Sequence, residues 1–132
     1  MRLTDKQTEK IKNIAQSYNL KLVLLFGSQV SQLFLNQESD FDIAYLPEKK
    51  IDFQGEYHLN YELTKVFGSD RVDTVNLAKA APLLLYAIVQ NHKILYQKTP
   101  LVFYELRAYA FHAYIEAKPL FNLQKELLQF YL

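Results

Sequence analysis

Near the start of the chain apolar residues recur at helical spacing, with Ile11, Ile14, Ala15 and Tyr18 forming one stripe. Thr4, with Gln7 three positions on, is a capping-box pair that sets where this helix begins. The pattern then changes. Leu20 to Phe26 is a dense aliphatic run closed by Gly27, the mark of a buried strand. Asp40 to Leu46 (DFDIAYL) alternates in the strand manner and is expected to stop at Pro47. Asp52 is placed to cap a helix running to about Val66, with Gly68 as its stop signal. Arg71 to Leu77 (RVDTVNL) is again strand-like, its β-branched residues alternating with polar ones. Pro82 suits a first helical turn, Leu83 to Gln90 continue that helix, and Lys93 to Gln97 form a short strand. From Thr99-Pro100 onward the pattern is wholly helical, with a break expected at Pro119.

Helices alternating with strands in this order predict an α/β (α+β) domain: a mixed, twisted sheet with helices packed on it. The natural division is a core over residues 1–98 and a helical extension of the same domain over 99–132. At 132 residues the chain has the size of one ordinary domain. Composition narrows the chemistry. The absence of cysteine excludes a disulfide scaffold, a thiol nucleophile, an iron–sulfur cluster and a thiolate zinc site. A formal charge of +1 is no footprint for direct nucleic-acid binding. The longest apolar runs are far below membrane-spanning length, and the polar start MRLTDKQTEK lacks the apolar core of a signal peptide. A cytoplasmic protein without membrane contact is the expectation.

The segment from Leu25 to Leu46 carries the candidate chemistry. Gly27-Ser28 follows the buried strand directly, and Asp40-Phe41-Asp42 opens the next. Alternation along a strand sends Asp40 and Asp42 to one face. Asp73 falls near the start of a third strand, reached through a helix, so a parallel crossover brings it to the same edge of the sheet. Acids converging without histidine or cysteine make a hard, oxygen-rich site suited to Mg²⁺ or Mn²⁺. Gly27 permits close backbone approach, and Ser28 offers both an amide and a hydroxyl. Anion donors beside such a site describe a pocket for a nucleoside triphosphate and two-metal displacement at phosphorus.

Gly27-Ser28, an eleven-residue spacer, Asp40-x-Asp42 and the later Asp73 within VDTVNL resemble the nucleotidyltransferase superfamily of polymerase β and kanamycin nucleotidyltransferase. With its small size and aromatic helical tail, the chain is similar to the minimal nucleotidyltransferases, the MntA-like antitoxins of HEPN/MNT toxin–antitoxin systems. Relatives often carry a glycine where this chain has Gln29-Val30-Ser31-Gln32. The resemblance implies the nucleotidyltransferase fold and transfer of AMP from ATP to a tyrosine hydroxyl of a cognate HEPN ribonuclease toxin. It implies Asp40, Asp42 and Asp73 as catalytic and metal-holding residues for two Mg²⁺ ions, with Mn²⁺ as the substitute. Gly27 and Ser28 would hold the phosphates that leave as pyrophosphate. Two other readings of the motif are a small-molecule acceptor and neutralisation by steric binding alone.

The tail holds eight of the chain's nineteen aromatic residues in about a quarter of its length. Phe103, Leu106, Ala110, Ala113 and Ala117 can cover the sheet, but Tyr104, Tyr109, Phe111 and Tyr114 spread around the helix. Some aromatic surface is therefore expected to face outward as a partner-binding surface. Arg107, His112 and Tyr114 fit R-x₄-H-x-Y, the signature of the HEPN ribonucleases, within a tail too short to form that helical bundle. The match reads as coincidence. His58, His92 and His112 share no metal-ligand spacing.

Overall fold

A computed structural model describes residues 3–27, 41–68 and 72–131. In chain order its elements are α1 (Asp5–Ser17), β1 (Leu20–Phe26), β2 (Phe41–Pro47) and α2 (Phe53–Phe67), followed by β3 (Val72–Asn76), α3 (Pro82–Gln90), β4 (His92–Gln97) and α4 (Leu101–Tyr131). The four strands form one mixed sheet in the order β3-β2-β1-β4. β1 pairs antiparallel with both β2 and β4, and β2 pairs parallel with β3. The expected α/β (α+β) architecture is the one observed.

Local chemistry explains most of the boundaries. The Thr4 hydroxyl accepts from the Gln7 amide at 3.1 Å while the Gln7 side chain accepts from the Thr4 amide at 3.0 Å, a reciprocal cap on α1. Asp52 caps α2 by accepting from the Gly55 amide at 2.7 Å, and Gly68 ends it in a left-handed conformation at φ 60°. Pro82 stands in the first turn of α3, where its missing N–H removes no helical bond. Pro47 lies inside β2 rather than beyond it, paired with Leu20 at the strand's end.

Both faces of the sheet are covered, which is why β1 is almost wholly apolar. Leu20, Val23, Leu25, Ile43 and Tyr45 pack with Ile11, Leu59 and Leu63 of α1 and α2. Leu22, Leu24 and Ala44 face the other way, against Leu85, Ile88, Val102, Leu106 and Ala110 of α3 and α4. An irregularity between Leu20 and Leu22 sends Leu20 to the same side as Val23. Among the described residues no helix is long and apolar enough to cross a membrane.

The break expected at Pro119 does not occur; α4 continues through it to Tyr131. Proline deprives the Ile115 carbonyl of its helical donor. Both residues are exposed, so solvent can satisfy that carbonyl and no buried polar group results. Of the tail aromatics, Phe103 is buried and Tyr104, Tyr109 and Phe111 are each more than half exposed, as their spacing predicts, whereas Tyr114 is half-buried against Tyr86.

Candidate active site

The parallel pairing of β2 with β3 sets Asp42 directly opposite Asp73. Neighbouring strands lie about 4.8 Å apart, and in-register partners project from the same face. That face is the one occupied by Ala44 and Val75, above α3 and α4. Two carboxylates from separate strands thus stand side by side at one edge of the sheet. Asp42 is partly buried and Asp73 is exposed.

Gly27 completes this edge from the other side. Phe26 pairs with Asp42 across the antiparallel ladder, so the chain leaves β1 beside the Asp42 side chain. Gly27 sits at φ 81°, a conformation that side-chain-bearing residues rarely adopt. A Cβ there would overlap Asp42 Oδ2 and come within 3.1 Å of Asp42 Cγ. Glycine is required at this position both for backbone geometry and for the space the Asp42 carboxylate fills. Asp40 and Ser28 lie outside the described residues. Among those that are described, no group of three or more acidic, histidine or cysteine side chains gathers in metal-holding geometry. Asp42 and Asp73 are two hard oxygen donors on adjacent strands, the donor type that suits Mg²⁺ or Mn²⁺.

Second-layer contacts hold β3 in register. Asn60 of α2 donates to the Val72 carbonyl at 3.3 Å and to the Thr74 hydroxyl at 3.1 Å. Asn76 donates to Glu56 at 3.2 Å, and Lys79 joins the same carboxylate at 2.6 Å. Hydrogen bonds from Lys79 and Asn76 pull the Glu56 pKa below its ordinary value. These bonds flank Asp73 on the α2 side, while Asp73 itself faces the other way. Sequence spacing gave no hint of them, because they join residues 12 to 23 positions apart.

His92 also reaches this edge, a placement that its sequence neighbours do not signal. It opens β4 opposite Phe26, one residue from Gly27. Its Nδ1 lies 3.0 Å from the Val89 carbonyl and its ring packs 4.4 Å from that of Phe103. The tail's R-x₄-H-x-Y residues separate instead. Arg107 lies over the Tyr104 ring, His112 meets Phe111 edge-on, and Tyr114 stacks on Tyr86 at 4.1 Å.

Comparison with known proteins adds a lineage to this geometry. The family model for polymerase beta nucleotidyltransferases matches residues 9–101. A chain in a crystal structure of a toxin–antitoxin with AMP-PNP shares the fold at a TM-score of 0.78 and 23% identity, covering 92% of this chain and 98% of that one. A chain in the complex of a tri-AMPylated Shewanella oneidensis HEPN toxin with its MNT antitoxin matches at a TM-score of 0.73 and 23% identity, over 93% and 97% of the two chains. A spectinomycin adenyltransferase from Enterococcus faecialis, with ATP and spectinomycin, matches at a TM-score of 0.53 and 16% identity, over 78% of this chain and 59% of that one. No curated protein matches the sequence.

Proposed function

Because this chain belongs to the polymerase beta nucleotidyltransferase family, we propose that it transfers AMP from ATP to a tyrosine hydroxyl of a cognate HEPN-type ribonuclease toxin and so acts as its antitoxin. The observation that carries the reading is the in-register pair Asp42 and Asp73, with Gly27 closed against the Asp42 carboxylate. Fold likeness to chains crystallised as toxin–antitoxin complexes, one with AMP-PNP and one with an AMPylated toxin, supports the choice of nucleotide and partner.

Asp40 and Asp42, which flank Phe41 in the sequence, would hold one Mg²⁺, and Asp73 would share a second. Bound there, magnesium supplies charge neutralisation to the triphosphate. Gly27 and Ser28 would receive the β- and γ-phosphates, the glycine by letting backbone amides approach closely. The acceptor phenol must lie in line with the departing pyrophosphate. Its oxygen forms a bond to the α-phosphorus as the bond to the β-phosphate bridge breaks. Exposure of Asp73 leaves its carboxylate open to an incoming protein surface, where it can accept the phenolic proton. Positioning and charge stabilisation then account for most of the rate gain. The partner surface would be the helical extension over residues 99–132.

The test is transfer of radiolabel from [α-³²P]ATP to purified HEPN-type partner in the presence of Mg²⁺. Label is expected on the partner and should be lost on adding EDTA or on replacing Asp40 and Asp42 together by alanine. Undiminished labelling by that double variant would overturn the assignment.

A further inference from the structure

Helix α4 segregates its charges. At 100° per residue, Arg107, Lys118 and Lys125 fall within about 20° of one another, a basic stripe spanning roughly 27 Å. Glu105, Glu116 and Glu126 lie about 80–180° away on the other side. All three basic residues are exposed, and none forms an ion pair among the described residues. The stripe begins at a cavity of about 330 Å³ between α3 and α4, lined by Tyr86, Val89, Gln90, Tyr104, Arg107, Ala108 and Phe111. Three of its seven lining residues are aromatic, and the Arg107 guanidinium lies 5.2 Å from the Tyr104 ring.

We propose that this cavity and stripe dock an acidic amphipathic helix of the partner protein. An apolar side chain would enter the cavity, one carboxylate beside it would meet Arg107, and two more would meet Lys118 and Lys125. The inference rests on the proposed antitoxin function and specifies its partner surface. Charge complementarity selects the occupant. A twofold pairing with a second copy would set the basic stripe against itself, and a head-to-tail pairing of basic with acidic faces would build a ring or filament rather than a simple pair. Three cations over about 27 Å are too sparse to track a nucleic-acid backbone, whose phosphates are only a few ångströms apart. A cavity of about 330 Å³ has room for a large apolar side chain, and Arg107 in its lining supplies a cation for a carboxylate beside that anchor.

The test uses the full chain and a fluorescein-labelled helical peptide with one phenylalanine anchor, an adjacent glutamate, and glutamates 11 and 18 residues further on. A second peptide carries lysine in place of each glutamate. Anisotropy is measured without ATP, so the result is independent of whether AMP transfer occurs. The acidic peptide should bind wild type and lose about tenfold in affinity on R107E/K118E/K125E, with circular dichroism unchanged. The lysine peptide should reverse that preference. Failure of the acidic peptide to bind, or equal binding of both peptides to wild type, overturns the proposal. So does tighter binding of a single-stranded RNA 20-mer that the triple variant abolishes, or self-association of wild type that the variant abolishes.

Discussion

Replacing Gly27 by alanine separates two costs that the structure keeps distinct, because Gly68 supplies a matched control. Both glycines have positive φ, 81° and 60°. A side chain at either site costs about 1–2 kcal/mol in backbone strain. At Gly68 a Cβ meets nothing within 4 Å, so Gly68→Ala carries the backbone cost alone. At Gly27 the same Cβ overlaps Asp42 Oδ2 and lies 3.3 Å from Asp42 Cβ, so the carboxylate must swing away. Each variant should therefore lower Tm by roughly 3–8 °C in thermal denaturation followed by circular dichroism. Only Gly27→Ala should lose AMP transfer, by roughly a hundredfold or more, since displacing a group that positions substrate by about 1 Å has that effect. Labelling from [α-³²P]ATP at a temperature well below both transitions provides the readout. If Gly27→Ala transfers AMP as well as Gly68→Ala does, the Asp42 carboxylate is not held by Gly27 for catalysis, and the reasoning fails.

Asp73→Asn should leave Tm nearly unchanged, because the side chain is exposed, yet abolish transfer while a pull-down still recovers the partner. Asn60→Ala removes two hydrogen bonds to β3 and should cost about 1–2 kcal/mol in urea unfolding, with reduced transfer because Asp73 loses its fixed register. Burial raises the Tyr45 pKa to about 12 from an ordinary value near 10. The unfolded phenol ionises first, so stability complete below pH 10 should decline towards pH 12, a limb that Tyr45→Phe removes in denaturant titrations at pH 9 and 11. For Glu56 the sign is opposite. Its lowered pKa makes a contribution present at neutral pH and lost as the pH falls through the folded value, so Glu56→Gln should flatten the acid limb of the stability profile.

Much of this arrangement is legible because it depends on local chemistry. The Thr4 and Gln7 pair, the Asp52 cap, the Gly68 stop and Pro82 each act within one helical turn, and all four lie where their spacing predicts. The meeting of Asp42 with Asp73 is legible for a different reason. A helix between two strands favours a parallel crossover, and similar depth along each strand then puts both acids at one edge. The placement of His92 opposite Phe26 and the Asn60 bonds to β3 are not legible, because pairing between distant segments leaves no periodic trace. Pro119 was misread because a breaker rule assumes that the freed carbonyl has no other partner, whereas here that carbonyl is beside solvent. Asp40 and Ser28 remain proposals on sequence alone.

Intact-mass spectrometry of a HEPN-type toxin co-expressed with this chain tests the central claim most directly. Wild type should add one or more AMP units to the toxin, on tyrosine by fragmentation. With Asp73→Asn the toxin should co-purify unmodified and remain an active ribonuclease once separated from its partner. Full neutralisation by Asp73→Asn in growing cells, with no AMP on the toxin, would contradict the account and leave steric binding as the mechanism.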